Sequence, residues 1–398
     1  MCGIFGFILN RSLSEYEISS GISATKKLQH RGPDNTSHWF SLDEGVFLGH
    51  TRLKIIDTTD QSNQPFSKNG AQLVYNGEVY NYDHLRKILK KSGSIFRTEG
   101  DTEVLFELLH KYDVKLLNNI DGMFSFAYYS DRVLTLAVDH FGEKPLYWHK
   151  SKDGVYFSSE PAPLVDLLGL DITRDQHIIS NFLSLGFVPG LSTSYDGVQK
   201  LQPASVLKIS RGKVINSFSY WSVPEQFAGH GRVERVTDTQ LDDISDILIQ
   251  SLKGRVKSDV PLGLFLSSGV DSTLIAALLK KELNSEDFIA LTVAYGRGTD
   301  KDESADAAKI ADYLGINHTI VDSSVDQHDY SLDRLHSIYG ELNSGITAFT
   351  VQQMSILAKK YFTVALSGTG ADEIFFGYDK YRFLYKYRYI LTNKLIAS

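Results

Sequence analysis

The stretch Val260–Lys281, VPLGLFLSSGVDSTLIAALLKK, decides the fold of the C-terminal half of this chain. An apolar run, Val260–Leu266, ends at a Ser/Gly turn, and a helix-forming segment, Asp271–Lys281, starts at once. A strand that feeds a tight turn and then a helix is the building unit of parallel α/β sheets. Working outward, an amphipathic helix from about Leu241 leads into this unit. Beyond it come strand-like Ala290–Tyr295, helical Ser304–Leu314, strand-like His318–Val321, helical Val351–Lys360 and strand-like Phe362–Leu366. This alternation predicts a parallel sheet. The turn itself, with backbone N–H groups ahead of a helix N-terminus, suits a phosphate. It contains neither GxxxxGK[ST] nor GxGxxG. Taken alone, SSGVDS could be any strand–helix turn.

Up to about residue 220 the pattern is different. Val46–Leu48, Leu73–Tyr75, Met123–Tyr129, Val133–Val138 and Gly154–Ser158 read as strands, and Tyr82–Lys91 and Thr102–Lys111 as helices. Trp221–Val236 is polar and aperiodic and reads as a linker. The domains expected are therefore 1–220 and 237–398. A length of 398 residues fits two or three domains, and 42% hydrophobic with 22% charged residues is a globular composition. The 41 Lys+Arg against 48 Asp+Glu give a net charge of −7 with no basic stripe, which argues against a nucleic-acid partner. The single cysteine excludes an internal disulfide and thiolate-rich metal sites. The N-terminal MCGIFGFILNR is apolar but has no basic leader region, and no apolar run reaches about 18 residues, so neither a signal peptide nor a membrane span is expected. A cytoplasmic location is the simple expectation.

Cys2 follows the initiator methionine directly. Removal of Met1 would expose its α-amine, with a pKa of about 7.7–8.0, as a base able to take the thiol proton directly or through water. The bland alternative is a small buried cysteine. The motifs downstream bear on this choice: RGPD (Arg31–Asp34), HTRLKIID (His50–Asp57), YNGEVYN (Tyr75–Asn81) and EGDTEV (Glu99–Val104). As a set they resemble the class II glutamine amidotransferases, whose glutaminase domain is an N-terminal-nucleophile hydrolase with an αββα sandwich, an α+β fold. The resemblance implies Cys2 as nucleophile, with Asn76 and the Gly77 N–H as oxyanion hole. It implies Arg52, whose planar fork suits a carboxylate, and the following Leu53, Lys54, Ile55 and Ile56 as glutamine-binding. Glu78 and Asp101 become partners of the glutamine ammonium. FGEKPLY (Phe141–Tyr147) and FSSE (Phe157–Glu160) also resemble the family, in scaffold roles.

In the second half, LSSGVDS resembles the SGGxDS pyrophosphate loop of ATP-pyrophosphatase ligases. VALSGTGADEIFFGY (Val364–Tyr378) resembles their second motif, SGxGxDExFGGY. This implies ATP binding by Leu266, Ser267, Gly269, Asp271, Ser272, Val293, Ser367 and Gly368, with Mg²⁺ shared by Asp271 and Asp372. Asp302 and Glu303 match a family acidic pair, or else a solvated helix start. The order of the two domains resembles the glutamine-hydrolysing asparagine synthetases, which make asparagine, glutamate, AMP and pyrophosphate from aspartate, glutamine, ATP and water. The family passes ammonia inside the protein to a β-aspartyl-AMP. Three features depart from the family: Ser268 replaces a glycine, Thr369 stands where a carboxylate is usual, and the chain is short at its C-terminus. The final KYRFLYKYRYILTNKLIAS is expected to be a helix that lacks packing partners. An acceptor acid other than aspartate, or a glutaminase with an impaired ligase half, stays open. So does a homodimer; no membrane partner is expected.

Overall fold

Strand β1 (Gly3–Leu9) shows no alternation: GIFGFIL is apolar along its whole length and every residue is buried. A strand of that kind has to be covered on both faces. Residues alternate across the pleat, so Ile4 and Ile8 enter one core while Phe5, Phe7 and Leu9 enter another. The rest of the unit supplies those two covers. The computed structural model describes residues 1–223, 236–285, 288–295, 302–323, 331–345 and 347–387. The chain divides into Met1–Val236 with Asp329–Thr350, and Thr237–His328 with Val351–Ser398.

The first unit continues with α1 (Glu15–Lys26), β2 (Asn35–Ser41), β3 (Val46–Arg52), β4 (Phe66–Lys68), β5 (Ala71–Val79), α2 (Tyr82–Lys91) and α3 (Asp101–Tyr112). Then come β6 (Gly122–Ser130), β7 (Val133–Val138), β8 (Tyr147–Lys150), β9 (Gly154–Ser158), α4 (Ala162–Leu168), α5 (Gln176–Leu185), β10 (Val198–Lys200), β11 (Ser205–Ser210) and β12 (Lys213–Ser219). The strands form two six-stranded sheets, β10-β8-β9-β1-β3-β2 and β12-β11-β7-β6-β5-β4, and their neighbours pair antiparallel. Ile4, Leu48 and Phe157 of one sheet meet Val74, Ala127 and Leu136 of the other in a shared seam. α1 and α4 cover the outer face of the first sheet, with Ala24 and Leu164 on Phe5 and Phe47. α2 and α3 cover the second, with Leu89 and Phe106 on Tyr75 and Phe126. The layers run helix, sheet, sheet, helix, the αββα order of the N-terminal-nucleophile hydrolases.

In the second unit α6 (Asp238–Arg255) opens on a capping box in which Thr237 and Gln240 exchange hydrogen bonds. β13 (Leu262–Phe265), α7 (Val270–Lys281), β14 (Phe288–Tyr295), α8 (Ser304–Leu314) and β15 (His318–Ser323) follow. α9 (Leu332–Tyr339) belongs to the first unit, and after it come α10 (Thr347–Ala358), which spans the division, β16 (Val364–Leu366), α11 (Ala371–Phe375) and α12 (Asp379–Lys386). The sheet order is β15-β14-β13-β16, and all pairs are parallel. Ala276 and Leu279 of α7 and Ala307 and Ala311 of α8 pack on Leu264 and Ala290, while Ala358 and Phe362 cover Leu291. This is the α/β sheet expected from the alternation.

The segment Asp329–Thr350 groups with the first unit although it follows residue 237 in sequence. A buried carboxylate helps to hold it there. Glu341 accepts from the Tyr147 hydroxyl at 2.8 Å and pairs with Lys200 Nζ at 3.2 Å. Most of the linker reading at Trp221–Val236, and the last residues of the C-terminal helix reading, lie outside the described residues. Among the described residues no helix is long and apolar enough to cross a membrane.

The seam makes its own stability prediction. Phe157 is fully buried between the sheets, so Phe157→Ala is expected to cost about 3–5 kcal/mol. Ile215 on β12 is 57% exposed, and Ile215→Ala should change stability by no more than about 0.5 kcal/mol. Denaturant unfolding of the two variants checks the contrast.

Candidate functional site

Cys2 lies at the entrance to β1, and its position is fixed from three directions. Arg31 Nε donates to the Cys2 carbonyl at 3.0 Å, and Arg31 Nη1 pairs with Glu160 at 2.8 Å. Just inside, Ile4 N donates to Ser159 Oγ at 2.9 Å and Ser159 N donates back to the Ile4 carbonyl at 2.9 Å. The Cys2 Sγ itself points at the Leu53 carbonyl, 3.8 Å away. Arg31 and Glu160 belong to the RGPD and FSSE motifs, so their scaffold role is to hold the residue that carries the thiol.

A small cavity of about 60 Å³ opens beside the thiol. Cys2, Arg52, Leu53, Ile55, Ile56, Asn76, Gly77, Glu78 and Asp101 all line it. They come from the residue before β1, the end of β3 and the loop after it, β5, and the start of α3, elements far apart in sequence. Lys54 does not line the cavity; its backbone N–H donates to Asp34 at 2.8 Å and its Nζ pairs with Asp60 at 3.0 Å. Asn76 is almost fully buried, yet neither its Oδ1 nor its Nδ2 has a hydrogen-bond partner among the described residues. Such atoms are costly in a core unless something binds them. Gly77, next on β5, lies against β6, where a Cβ would collide with the Met123 carbonyl.

Arg52 is placed differently from a free clamp. Its Nη1 donates to the Thr59 carbonyl at 2.7 Å and to Asn63 Oδ1 at 2.8 Å, and its Nη2 reaches the Ile56 carbonyl at 3.5 Å and the Asp57 carbonyl. The guanidinium thus braces the loop after β3 while it lines the cavity. Asp101 is the first residue of α3, where the helix dipole favours an anion. It accepts from the Tyr75 hydroxyl at 2.9 Å and the Val79 N–H at 3.0 Å, although burial pushes its pKa up. Burial also pushes the Cys2 thiol up, with the neighbouring amino terminus pulling it down. Met1 is half exposed, but its amine is tucked beside the thiol, and lost hydration lowers its pKa to about 6.

Sequence reasoning did not assign Gln64 or Lys144 to this cavity. Gln64 Oε1 accepts from the Tyr75 N–H at 2.6 Å, one residue before Asn76. Lys144 is buried, its pKa lowered by that burial, with Nζ 3.4 Å from Met1 Sδ. The signal for Lys144 was present in FGEKPLY. Gln64 carried none.

The second unit has a larger cavity of about 600 Å³, within the roughly 300–1,000 Å³ usual for small-molecule sites. Its location follows from the sheet. β13 and β16 are parallel neighbours with Leu264 opposite Leu366, so the loops that leave them, from Ser267 and from Ser367, emerge side by side. A Cβ on Gly368 would stand 2.8 Å from Asp271 Cβ, which is the close approach that keeps this position small. Leu266, Ser267, Gly269, Asp271, Ser272, Val293, Ser367, Gly368, Thr369 and Asp372 all line the cavity, and Glu303 joins them.

The first loop is held by its own hydroxyls. Ser272 Oγ accepts from the Ser267 N–H at 3.1 Å and lies 2.9 Å from Ser267 Oγ, which accepts from the Gly269 N–H at 3.1 Å. Ser268 does not line the cavity. Its N–H donates to Glu303 at 3.2 Å, and it is not among the described non-glycine residues with positive φ. A serine is therefore unstrained at this glycine position. Asp302 accepts from the Ser304 N–H at 3.1 Å and serves the start of α8. Thr369 shares a hydroxyl hydrogen bond with Ser367 at 3.1 Å. Among the described residues no three His, Cys, Asp or Glu side chains are close enough to hold a metal by themselves. Asp271 and Asp372 both line this cavity, and carboxylates of this kind fit Mg²⁺, which typically takes one or two carboxylates and completes its shell with phosphate oxygens and water.

Both parts of the chain match known protein families. Residues 1–221 match the family described as glutamine amidotransferase domain, and residues 243–394 match asparagine synthase. The chain is 33% identical over 389 residues to asparagine synthetase [glutamine-hydrolyzing] 1 of Bacillus subtilis, covering 96% of this chain and 60% of that protein. It is 31% identical over 403 residues to a putative asparagine synthetase [glutamine-hydrolyzing] of Mycobacterium tuberculosis, covering 96% and 61%. It is also 27% identical over 417 residues to amidase chry2 of Gibberella zeae, covering 96% and 60%. The chain thus spans about 60% of the length of these curated relatives. With a glutamine amidotransferase domain followed by an asparagine synthase domain, the chain belongs to the glutamine-hydrolysing asparagine synthetase family.

Proposed function

We propose that the first unit hydrolyses glutamine at Cys2 and that the second activates a carboxylic acid with Mg·ATP, aspartate being the acid of first choice. The observation that carries the first half is Asn76, a buried amide without a partner, facing the same small cavity as Cys2, Arg52 and Asp101. A carboxamide carbon attacked by a thiolate develops negative charge on its oxygen, and preorganised donors at that point stabilise the transition state. With Met1 removed, the α-amine of Cys2 takes the thiol proton. The thiolate adds to the glutamine side-chain carbonyl, with Asn76 Nδ2 and the Gly77 N–H donating to the oxyanion. Ammonia leaves with the proton, a γ-glutamyl thioester remains, and water then releases glutamate and the thiol. Asp101 and Glu78 suit the substrate ammonium. Arg52 meets the substrate carboxylate through Nε or by exchanging one of its carbonyl partners for it.

Support for the second half comes from the two loops that share one cavity. The first turn of α7, from Val270, offers helix N-terminal N–H donors to a pyrophosphate, and Asp271 and Asp372 offer the oxygens that Mg²⁺ prefers. Ser267 and Ser272 keep that turn in one conformation, so little is lost in ordering it when phosphate binds. The metal, bound there, supplies charge neutralisation of the phosphates. Adenylation of the acid makes its carboxyl carbon open to ammonia. A cytoplasmic location belongs to this reading, since a lone free thiol fits a reducing compartment.

Cys2→Ala is expected to abolish glutamate release from glutamine, and intact-mass measurement of the active protein should show loss of Met1. Full activity in Cys2→Ala would refute the assignment. Arg52→Ala should raise the glutamine KM tenfold or more, on the order of 1.4 kcal/mol or above. Arg52→Lys should recover little of this, because a single ammonium cannot both brace the loop carbonyls and meet the carboxylate.

For the second unit, calorimetry with Mg·ATP should show at least tenfold weaker binding in Asp271→Asn, again about 1.4 kcal/mol; equal affinity would remove Asp271 from the site. The whole reaction is tested by supplying glutamine, Mg·ATP and aspartate and measuring glutamate, AMP and asparagine together. Equal AMP and asparagine support aspartate as the acid. AMP only with another carboxylate moves the acceptor, and glutamate alone marks an uncoupled glutaminase.

A further inference from the structure

The seam between the two sheets changes character at one end. Along β3, β5 and β6 the residues that enter it are Leu48, Val74 and Ala127. Two residues further along each strand, on the same face, stand His50, Asn76 and Ser125. His50 and Ser125 are completely buried and Asn76 almost so. Apolar packing therefore gives way to three polar side chains, and the register locates them. Asn76 is the direct cross-strand partner of Ser125, which puts their Cβ atoms about 4.5–5.5 Å apart. His50 is opposite Ile4 on β1, the residue two after Cys2.

Each of these side chains has an unmet hydrogen-bonding atom. His50 Nδ1, Ser125 Oγ and both polar atoms of Asn76 have no partner among the described residues. The protonation of His50 follows from its one hydrogen bond. Its Nε2 lies 3.1 Å from the Tyr75 carbonyl, and a carbonyl only accepts, so Nε2 carries the hydrogen. Burial keeps the ring neutral, with a pKa of about 3, and the nearby Arg52 charge pushes in the same direction. Nδ1 is then a bare acceptor. Asn76 Nδ2 brings donors, Asn76 Oδ1 an acceptor, and Ser125 Oγ one of each. The set is complementary, and a site with several polar partners is the kind that holds an internal water. Neither His50 nor Ser125 lines the cavity beside Cys2; they stand behind Asn76.

We propose that His50 and Ser125 are positioning residues for Asn76, joined to its amide by one internal water in the polar end of the seam. The water donates to His50 Nδ1 and bonds Ser125 and the amide, fixing which way the Asn76 amide faces. One Nδ2 hydrogen is thereby held toward the Cys2 cavity. His50 ties this arrangement to the backbone through Tyr75, so the amide cannot flip without breaking a bond to the opposite sheet. This inference rests on the glutaminase reading for its catalytic consequence, but not for the water itself.

The test uses the full chain and two readouts. In Ser125→Ala, kcat for glutamine hydrolysis should fall about tenfold, with KM changed less than twofold, because the loss falls on transition-state donation. Asn76→Ala should fall further, and Ser125→Ala added to it should cost nothing more. Multiplying losses in the double variant, or an unchanged kcat in Ser125→Ala, would overturn the proposal. His50→Gln, which keeps an acceptor, should retain more kcat than His50→Leu, with thermal unfolding of both measured to separate folding losses. A high-resolution crystal structure should contain a water within about 3.2 Å of His50 Nδ1 and Ser125 Oγ. If that water is absent, the proposal fails even where glutamine is hydrolysed. If the wild type shows no Cys2-dependent hydrolysis, the glutaminase reading fails and the water alone decides this inference.

Discussion

Everything in the first unit depends on two sheets whose inner strands are buried on both faces. A strand such as β1, buried along its entire length, cannot face water on either side. Both of its faces must be covered, and in this unit another sheet covers one and helices the other. At about 25 cal/mol per Å² of apolar surface removed from water, the seam and the two helix layers are the main favourable contribution to the fold. The active geometry is a by-product of where that apolar seam stops. Leu48, Val74 and Ala127 are its last apolar residues on three strands, and the residues beyond them are His50, Asn76 and Ser125. A rigid sandwich thus presents a small number of polar atoms at one edge, next to Cys2, the nucleophile of the proposed mechanism.

That placement has chemical consequences. An oxyanion donor gains its strength from being fixed before the charge develops and from being shielded from water. In the proposed mechanism Asn76 meets both conditions because it is paired with Ser125 across β5 and β6 and is buried to within about one per cent of its surface. Its lack of partners would be a defect in an ordinary core. Beside Cys2 it is a stored capacity to bind. Arg52 shows the opposite economy: its Nη groups are occupied by the loop they hold in place, so one side chain both builds the cavity wall and offers charge to it.

The second unit solves a different problem with parallel strands. Neighbouring parallel strands end at the same edge, so the loops after β13 and β16 are brought together without any contact between them being specified in advance. The close approach of Gly368 to Asp271 is the local expression of that rule. Ser268 sits in this loop without strain and donates its N–H to Glu303. Thr369 lines the cavity with a hydroxyl, so the charge at that wall comes from Asp271, Asp372 and Glu303.

The sequence by itself determined the elements with a strong local signal. The amphipathic helix Tyr82–Lys91, the strand–turn–helix at Val260–Lys281 and the alternation after it are visible because period and turn chemistry are local. The motifs around Cys2, Arg52, Asn76 and Asp101 were legible for the same reason: each is a short run of chemically distinctive residues. Other features were decided only by tertiary structure. β1 reads as an apolar segment of no assigned role, since a strand buried on both faces has no alternation to reveal it. Lys54 belongs to the same motif as Arg52, yet the chain turns it outward to Asp34 and Asp60. Residues 329–350 join the first unit through contacts such as Glu341 with Tyr147 and Lys200, which no local pattern encodes. His50 and Ser125 gain their meaning from a strand register and a seam between sheets, because burial and cross-strand neighbours are properties of the packed molecule and not of the chain.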